Sequence, residues 1–310
     1  MKAAVCTKYG PPEVLELRDV KRPVPKDHEI LVKVRASTVA SGDIRVRSFN
    51  SPLLLWLPMR AFLGFTKPRK SILGVELAGE VAEMGKDVKK FKKGDHVFAL
   101  TGMNFGGHAE YACISEKGAA AEKPVNMSFE EAAAAAFGGT SALFFLRKGK
   151  IQEGQRILIY GASGSVGTAA VQLARHFGTH ITAVCSTSNF PLVKSLGAHE
   201  LIDYKEEDFT ETGERYDLIF DAVGKRSKKD CRKALASGGI FVTVNGQGIA
   251  KVRQEDLIFL KGLIETDRLI SVIDKEYELD QITEAHRYVE KGHKKGNVVI
   301  KVRHGDSMDK

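Results

Sequence analysis

The chain has 310 residues, of which 43% are hydrophobic and 28% charged, with a formal net charge of +8. These values exclude a disordered chain and a fibrous repeat, and the length suits two domains with well-buried cores. The charge favours anionic ligands. Its Lys/Arg clusters ("KPRK" 67–70, "KKFKK" 89–93, "KRSKK" 225–229, "KGHKK" 291–295) are not interleaved with stacking aromatics, which argues for solvated surface and against nucleic acid.

Residues 1–122 read as β-rich. "MKAAVCTKYG" has no long apolar run followed by a cleavage site. "ILVKVRAS" (30–37) alternates with period two, the pattern of a half-exposed strand. "PLLLWLPMRAFLGF" (52–65), interrupted by Pro58 and Arg60, is too short to span a bilayer. It suits a core or lid helix better than a pocket wall or partner surface. "LGVELAGEVAEMG" (73–85), "KKGDHVFAL" (92–100) and "HAEYACIS" (108–115) read as further strands broken by Gly turns. The four cysteines, Cys6, Cys113, Cys185 and Cys231, show neither a C-x-x-C pair nor zinc-knuckle spacing, so they read as reduced packing residues of a cytoplasmic protein.

Near Lys123 the pattern changes. "SFEEAAAAAFGGTSALFFLRK" (128–148) begins with a capping box, Ser128 and Glu131, and its alanine helix is expected to be interrupted at Gly138-Gly139. Strands are then expected at 156–161, 180–185, 200–203, 216–224 and 238–244, with helices at 165–178, 189–196 and 227–236. This β-α-β-α order implies a doubly wound parallel sheet. Helices over 253–269 and 278–292 and a strand at 297–302 are expected to return to the N-terminal half.

"RILIYGASGSVGTAAVQLARHFG" (156–178) is a strand, a glycine turn and a helix. Gly164 suits a close approach to a pyrophosphate, Gly167 suits close helix–strand packing, and the helix N-terminus offers free N–H groups. The glycines alone are weak evidence, but their strand–turn–helix context makes them specific for a dinucleotide. An NAD site wants an acid at the end of the next strand. "THITAVCSTSNFPLVKSLG" (179–197) contains none and ends in small hydroxyls with Lys194 nearby, which favours NADPH over NADH.

Beyond this turn, "GPPEVLEL" (10–17), "LGVELAGEV" (73–81), "FKKGDHVF" (91–98), "AAFGGTSAL" (135–143) and "SLGAHELIDY" (195–204) follow one another in a family order. Over nearly its whole length the chain resembles the zinc-lacking, quinone oxidoreductase-like branch of the medium-chain dehydrogenase/reductases. That resemblance implies an α/β fold: a GroES-like β-rich catalytic domain (1–122), a Rossmann NADP-binding domain (123–252) and a C-terminal return to the catalytic domain (253–310). Where zinc-dependent relatives carry ligands, this chain has Ala40, Val75 and the Gly138-Gly139 pair. Only the Glu76 carboxylate is left, too few donors for zinc. Without a Lewis acid, the implied substrates are quinones and α,β-unsaturated carbonyls.

The resemblance further implies cofactor contacts from Thr140 on the nicotinamide side and from Ser163, Gly164, Ser165 and Val166 around the pyrophosphate. Ser186, Asn189, Lys194 and Tyr204 would surround the 2′-phosphate. Val223, with Gly224, would border the ribose, Asn245 would end the fifth strand, and Asn297 would close over the nicotinamide side. Tyr204 fits simple packing equally well, and Lys194 a solvated helix position. Ser188 stands where relatives carry an Arg, the better phosphate fork. No obligatory catalytic residue is implied; Ser41, Asp43, Arg47, Trp56 and Asn104 are substrate-side candidates, and Asp43 fits a helix cap as well. The segment 242–257 leaves little room for the sixth strand that pairs across the dimer in relatives, so monomer and homodimer both stay open. Two other functions stay open as well: a non-catalytic NADPH-sensing or RNA-binding protein, and an alcohol dehydrogenase-like enzyme.

Overall fold

A computed structural model describes residues 1–49, 56–245 and 250–305. Residues 52–55 of the apolar stretch and 246–249 of the shortened segment lie outside the described residues. The N-terminal part supplies β1 (Lys2–Cys6), β2 (Leu15–Asp19), β3 (Glu29–Thr38), α1 (Ser41–Ser48), α2 (Trp56–Leu63), β4 (Glu76–Met84), β5 (His96–Leu100), β6 (Tyr111–Ser115) and β7 (Ala119–Glu122). Helix α3 (Phe129–Lys148) leads into β8 (Arg156–Tyr160), α4 (Ser165–His176), β9 (His180–Cys185), α5 (Phe190–Ser195), β10 (Glu200–Asp203), β11 (Tyr216–Asp221) and β12 (Leu235–Thr243). The chain ends with α6 (Gln254–Glu265), β13 (Ile273–Glu278), α7 (Ile282–Glu290) and β14 (Asn297–Lys301).

Contacts divide the chain into two units, Met1–Ala136 with Ile273–Lys310, and Phe137–Val272. The first unit holds a seven-stranded sheet in the order β13-β14-β3-β4-β5-β7, with β6 also pairing β3, and a separate β1-β2 ribbon. All its neighbours are antiparallel except β13 and β14, which run parallel. Strand β3 keeps the expected alternation: Ile30, Val32, Val34 and Ala36 share a buried face, while Lys33 and Arg35 on the other face stay partly exposed. It pairs with β4, β6 and β14, and Leu31 on the second face is buried as well. Strand β13, "IDKEYE", gives no apolar signal because it is a charged edge strand.

The second unit is a five-stranded parallel sheet in the order β10-β9-β8-β11-β12, so the first strand in sequence is central. This is the doubly wound pattern. Among the described residues no sixth strand joins it. Helix α3 carries the expected capping box: the Glu131 N–H donates to Ser128 Oγ at 3.2 Å and the Ser128 N–H to Glu131 Oε2 at 2.8 Å. Gly138 and Gly139 do not interrupt it. Both lie where a neighbour leaves no room for a side chain: a Cβ would lie 2.7 Å from Ser165 Oγ at Gly138 and 2.7 Å from Leu260 Cδ1 at Gly139, so their low helix propensity is offset by close packing.

Two further expectations give way. The helix expected at 253–269 belongs to the second unit, whose boundary falls at Val272 rather than 252. It forms as α6, which packs Leu260 against α3, while Asp256 Oδ1 accepts from Arg147 Nη1 at 2.6 Å. The helix expected at 227–236 is only a 3-10 turn over Asp230–Ala234, since Leu235 onward is drawn into β12 beside β11. The cysteines are free; Cys6, Cys185 and Cys231 are buried, and burial pushes the Cys185 thiol up to about 11.

Polar groups are sealed into the first unit. Arg47 is fully buried and pairs with Glu290 Oε1 at 2.7 Å. His286, also fully buried, lies edge-on to His108 with ring centroids 5.8 Å apart, and neither of its ring nitrogens has a hydrogen-bond partner among the described residues. Burial, with His108 and Arg47 adding repulsion, holds His286 well below the usual histidine range, so it is neutral in the fold. The unfolded chain protonates it below about pH 6.5 and the native state resists. Its contribution is therefore fully present above pH 6.5 and is lost as the pH falls below that value. Asp43, pushed up by burial, acts in the opposite sense in the lower window above its ordinary 3.8. Chemical denaturation should show stability falling from pH 6.5 to 5 by up to ~1.4 kcal/mol per pH unit from this one group. His286→Leu should flatten that slope at a cost of under ~1 kcal/mol at neutral pH, since no hydrogen bond is lost; an unchanged slope would assign the acid sensitivity elsewhere.

Candidate dinucleotide site and polar interior

Strand β8 ends in Tyr160, and the chain turns through Gly161 at φ +80° before Gly164 caps α4. Gly167 makes this turn tight. A Cβ there would lie 2.1 Å from the Gly161 carbonyl oxygen and 2.8 Å from the Ala162 backbone. Ser163, Gly164, Ser165 and Val166 remain partly exposed above that contact. The first turn of a helix has no intrahelical partners for its N–H groups, and no acid stands in the first turn of α4 to satisfy them. The partial positive charge at this end therefore points to an anion.

Neighbouring loops converge on the turn. The Asn189 amide donates to Ser163 Oγ at 3.1 Å and to Ser186 Oγ at 3.0 Å, and Ser186 and Ser188 hydroxyls lie 3.2 Å apart. The Asn189 side-chain carbonyl is buried with no partner among the described residues. This joins the glycine turn to the end of β9 through a collar of small polar groups. Thr187 in the same loop donates its N–H and hydroxyl to Asp203 Oδ2 at 2.7 and 2.5 Å, and these bonds hold the Asp203 carboxyl below its usual range. Lys194 is exposed on α5. Tyr204 is half exposed, its ring tilted toward Tyr160 with centroids 6.4 Å apart.

On the other side, Asp221 ends β11 fully buried and accepts from the N–H groups of Val223, Gly224 and Arg226 at 3.1, 2.9 and 2.8 Å. This knot fixes the "DAVG" turn. It presses Val223 against Gly161, where a Cβ would lie 2.0 Å from Val223 Cγ2. The exposed Asn245, after β12, donates to the Gly224 carbonyl at 3.3 Å. Thr140 is buried in α3, its hydroxyl 3.3 Å from the Phe137 carbonyl. Thus Ser163, Gly164, Ser165, Val166, Ser186, Asn189, Val223 and Asn245 are gathered around one turn. The sequence reading missed Arg226, whose guanidinium lies over the Tyr160 ring at 4.9 Å; "KRSKK" looks like solvated charge, and only the fold puts it beside the strand end.

The remaining candidates belong to the first unit. Asn297 is buried as the first residue of β14. Asp43 serves the backbone: Oδ2 accepts from the Ala40 N–H at 2.9 Å and Oδ1 from the Gly74 N–H at 3.0 Å, so its capping role is the one that forms. Arg47 is enclosed as described, Ser41 and Asn104 are exposed, and Trp56 is partly exposed on α2. Where zinc ligands would cluster, Glu76 is buried and accepts from the Thr38 hydroxyl. Lys294 is also near: burial lowers it to about 8, while Glu76 and Asp274 oppose that shift. "KGHKK" gave no sign of it. Among the described residues no group of three or more His, Cys, Asp or Glu could hold a metal ion, and no helix is long and apolar enough to cross a membrane.

Comparison with known proteins agrees with this architecture. The alcohol dehydrogenase GroES-like domain profile matches residues 26–124, and zinc-binding dehydrogenase profiles match 165–272 and 248–300. The chain is 33% identical to 2-methylene-furan-3-one reductase of Solanum lycopersicum, covering 97% of this chain and 79% of that protein. It is 31% identical to the NADPH-dependent alkenal/one oxidoreductase, chloroplastic, of Arabidopsis thaliana, with the same coverage. The solved quinone oxidoreductase of Coxiella burnetii superposes with a TM-score of 0.89 at 29% identity, over 98% of this chain and 99% of that one. With its GroES-like sheet, its parallel dinucleotide-type sheet and these relatives, the chain belongs to the quinone oxidoreductase-like branch of the medium-chain dehydrogenase/reductase family.

Proposed function

We propose that this chain is an NADPH-dependent oxidoreductase that reduces a quinone or an α,β-unsaturated carbonyl without zinc. The observation that carries the cofactor is the collar of Ser163, Ser186, Ser188 and Asn189 beside the glycine turn, with no carboxylate on the end of β9. The residues fit the group: the α4 N-terminus offers donors to a pyrophosphate, and the orphaned Asn189 carbonyl offers an acceptor to a ribose hydroxyl. When bound, the nicotinamide supplies the hydride. Ser186, Ser188 and Lys194 bind the 2′-phosphate, while Val223 and Asn245 border the ribose. The competing NADH reading rests on Asp203, whose carboxylate reaches the same loop through Thr187.

The zinc-free part rests on donor chemistry. Ala40 and Val75 offer no ligand atom, and the Glu76 carboxylate is engaged with Thr38 and faces the positive charge of Lys294. Substrates whose own conjugation accepts a hydride need no Lewis acid. The substrate class follows the names of the quinone and alkenal/one oxidoreductases to which the chain is similar.

Nicotinamide fluorescence titration should show NADPH binding more tightly than NADH. Ser186→Asp should weaken NADPH about tenfold or more by setting a carboxylate against the 2′-phosphate, with NADH little affected. A wild-type preference for NADH would replace the cofactor assignment. NADPH oxidation should respond to 1,2- or 1,4-quinones or to alkenals and should persist after chelator treatment. Activity that falls with the chelator and returns with zinc would overturn the zinc-free mechanism, and binding without turnover across the whole panel would make the chain a dinucleotide sensor.

A further inference from the structure

Helix α2 turns most of its apolar surface outward. Trp56 is 43% exposed, Leu57 62%, Phe62 64% and, just beyond the helix, Phe65 61%. Leu57 and Ala61 are one turn apart, as are Pro58 and Phe62, so these four share a face, and all are exposed. Only Leu63 of the helix is buried. The opposite face is pinned: the Arg60 guanidinium lies 3.9 Å over the Phe49 ring, 4.4 Å over Tyr9 and 5.0 Å over Trp56. Tyr9 also donates its hydroxyl to the Gly64 carbonyl at 2.9 Å. The exposure is therefore a held conformation, and an apolar patch fixed toward solvent marks an interaction surface.

Its surroundings select the partner. Exposed Lys67, Arg69 and Lys70 follow directly, and the Arg69 guanidinium donates to the Ala61 carbonyl at 2.8 Å, which sets a cation at the margin of the apolar face. From Trp56 to Val75 the sequence has no Asp or Glu, against four Lys and Arg: Arg60, Lys67, Arg69 and Lys70. Aromatic side chains with flanking cations and no acid complement an anionic lipid surface, with rings at headgroup depth and ammonium or guanidinium groups on phosphates. We infer that α2 and the segment through Lys70 form a peripheral docking surface for an anionic membrane. The inference stands apart from the cofactor and substrate assigned above.

Trp56 is the only tryptophan in the chain and is 43% exposed at the head of α2 beside Leu57, so its emission reports on the surroundings of this helix. The full chain, mixed with vesicles of equal parts phosphatidylglycerol and phosphatidylcholine, should show a blue-shifted emission that brominated acyl chains quench. Raised salt should weaken the effect, and pure phosphatidylcholine should bind at least about tenfold more weakly. Lys67→Gln with Lys70→Gln should weaken binding about tenfold, and Phe62→Ser with Phe65→Ser should abolish the blue shift with an unchanged circular dichroism spectrum. Emission that does not respond to the anionic vesicles would overturn the inference, as would equal binding to neutral ones. A blue shift that grows with protein concentration in the absence of lipid would assign the face to a second copy of the chain instead.

Discussion

The Gly161 carbonyl and the Gly167 backbone meet at a distance that no Cβ could share. Everything in the second unit that resembles a binding site is built around that contact. It lets α4 rise directly from the end of β8, so that its unpaired N–H groups stand at the carboxyl edge of the parallel sheet. Gly138 and Gly161 extend the same economy. The first lets α3 pass beside Ser165, and the second takes Val223 from the next crossover. Three loops from distant parts of the sequence are thus gathered by backbone touching side chain or backbone. A methyl group at any of these positions would push apart the elements that the polar collar joins.

The first unit handles its charges differently. Asp43, Glu76 and Arg47 are buried, and a buried charge is costly unless paired or hydrogen-bonded. Each has a partner within the unit. Asp43 takes two backbone N–H groups, Glu76 takes the Thr38 hydroxyl, and Arg47 reaches Glu290. These groups are committed to holding α1, the entry to β4, and α7 in place. His286 is the exception. It is neutral and without a hydrogen-bond partner among the described residues, which is why it makes the unit sensitive to acid.

Much of this was legible beforehand. The capping box of α3, the alternation of strands and helices from β8 to β12 and the glycine turn all rest on local rules, and local rules survive folding. The failures share one cause. Gly138-Gly139 reads as a helix breaker when propensity is the only term, but tertiary contact reverses it, because the helix must be smooth where Ser165 and Leu260 lie. The charged edge strand β13 carries no apolar pattern because an edge has little to bury. Lys294 and Arg226 were hidden in basic runs, since composition cannot tell a solvated lysine from one folded inward.

The fold class and the strand–turn–helix around Gly164 and Gly167 follow from residue type at fixed spacing, and so could be read from the chain alone. That Asp43 caps a helix, that Asn189 ties Ser163 to Ser186, that α6 belongs with the parallel sheet and that α2 shows its apolar face to solvent are settled by long-range contacts. Those outcomes depend on what lies opposite a residue after the chain has closed on itself, and no spacing along the chain encodes that distance.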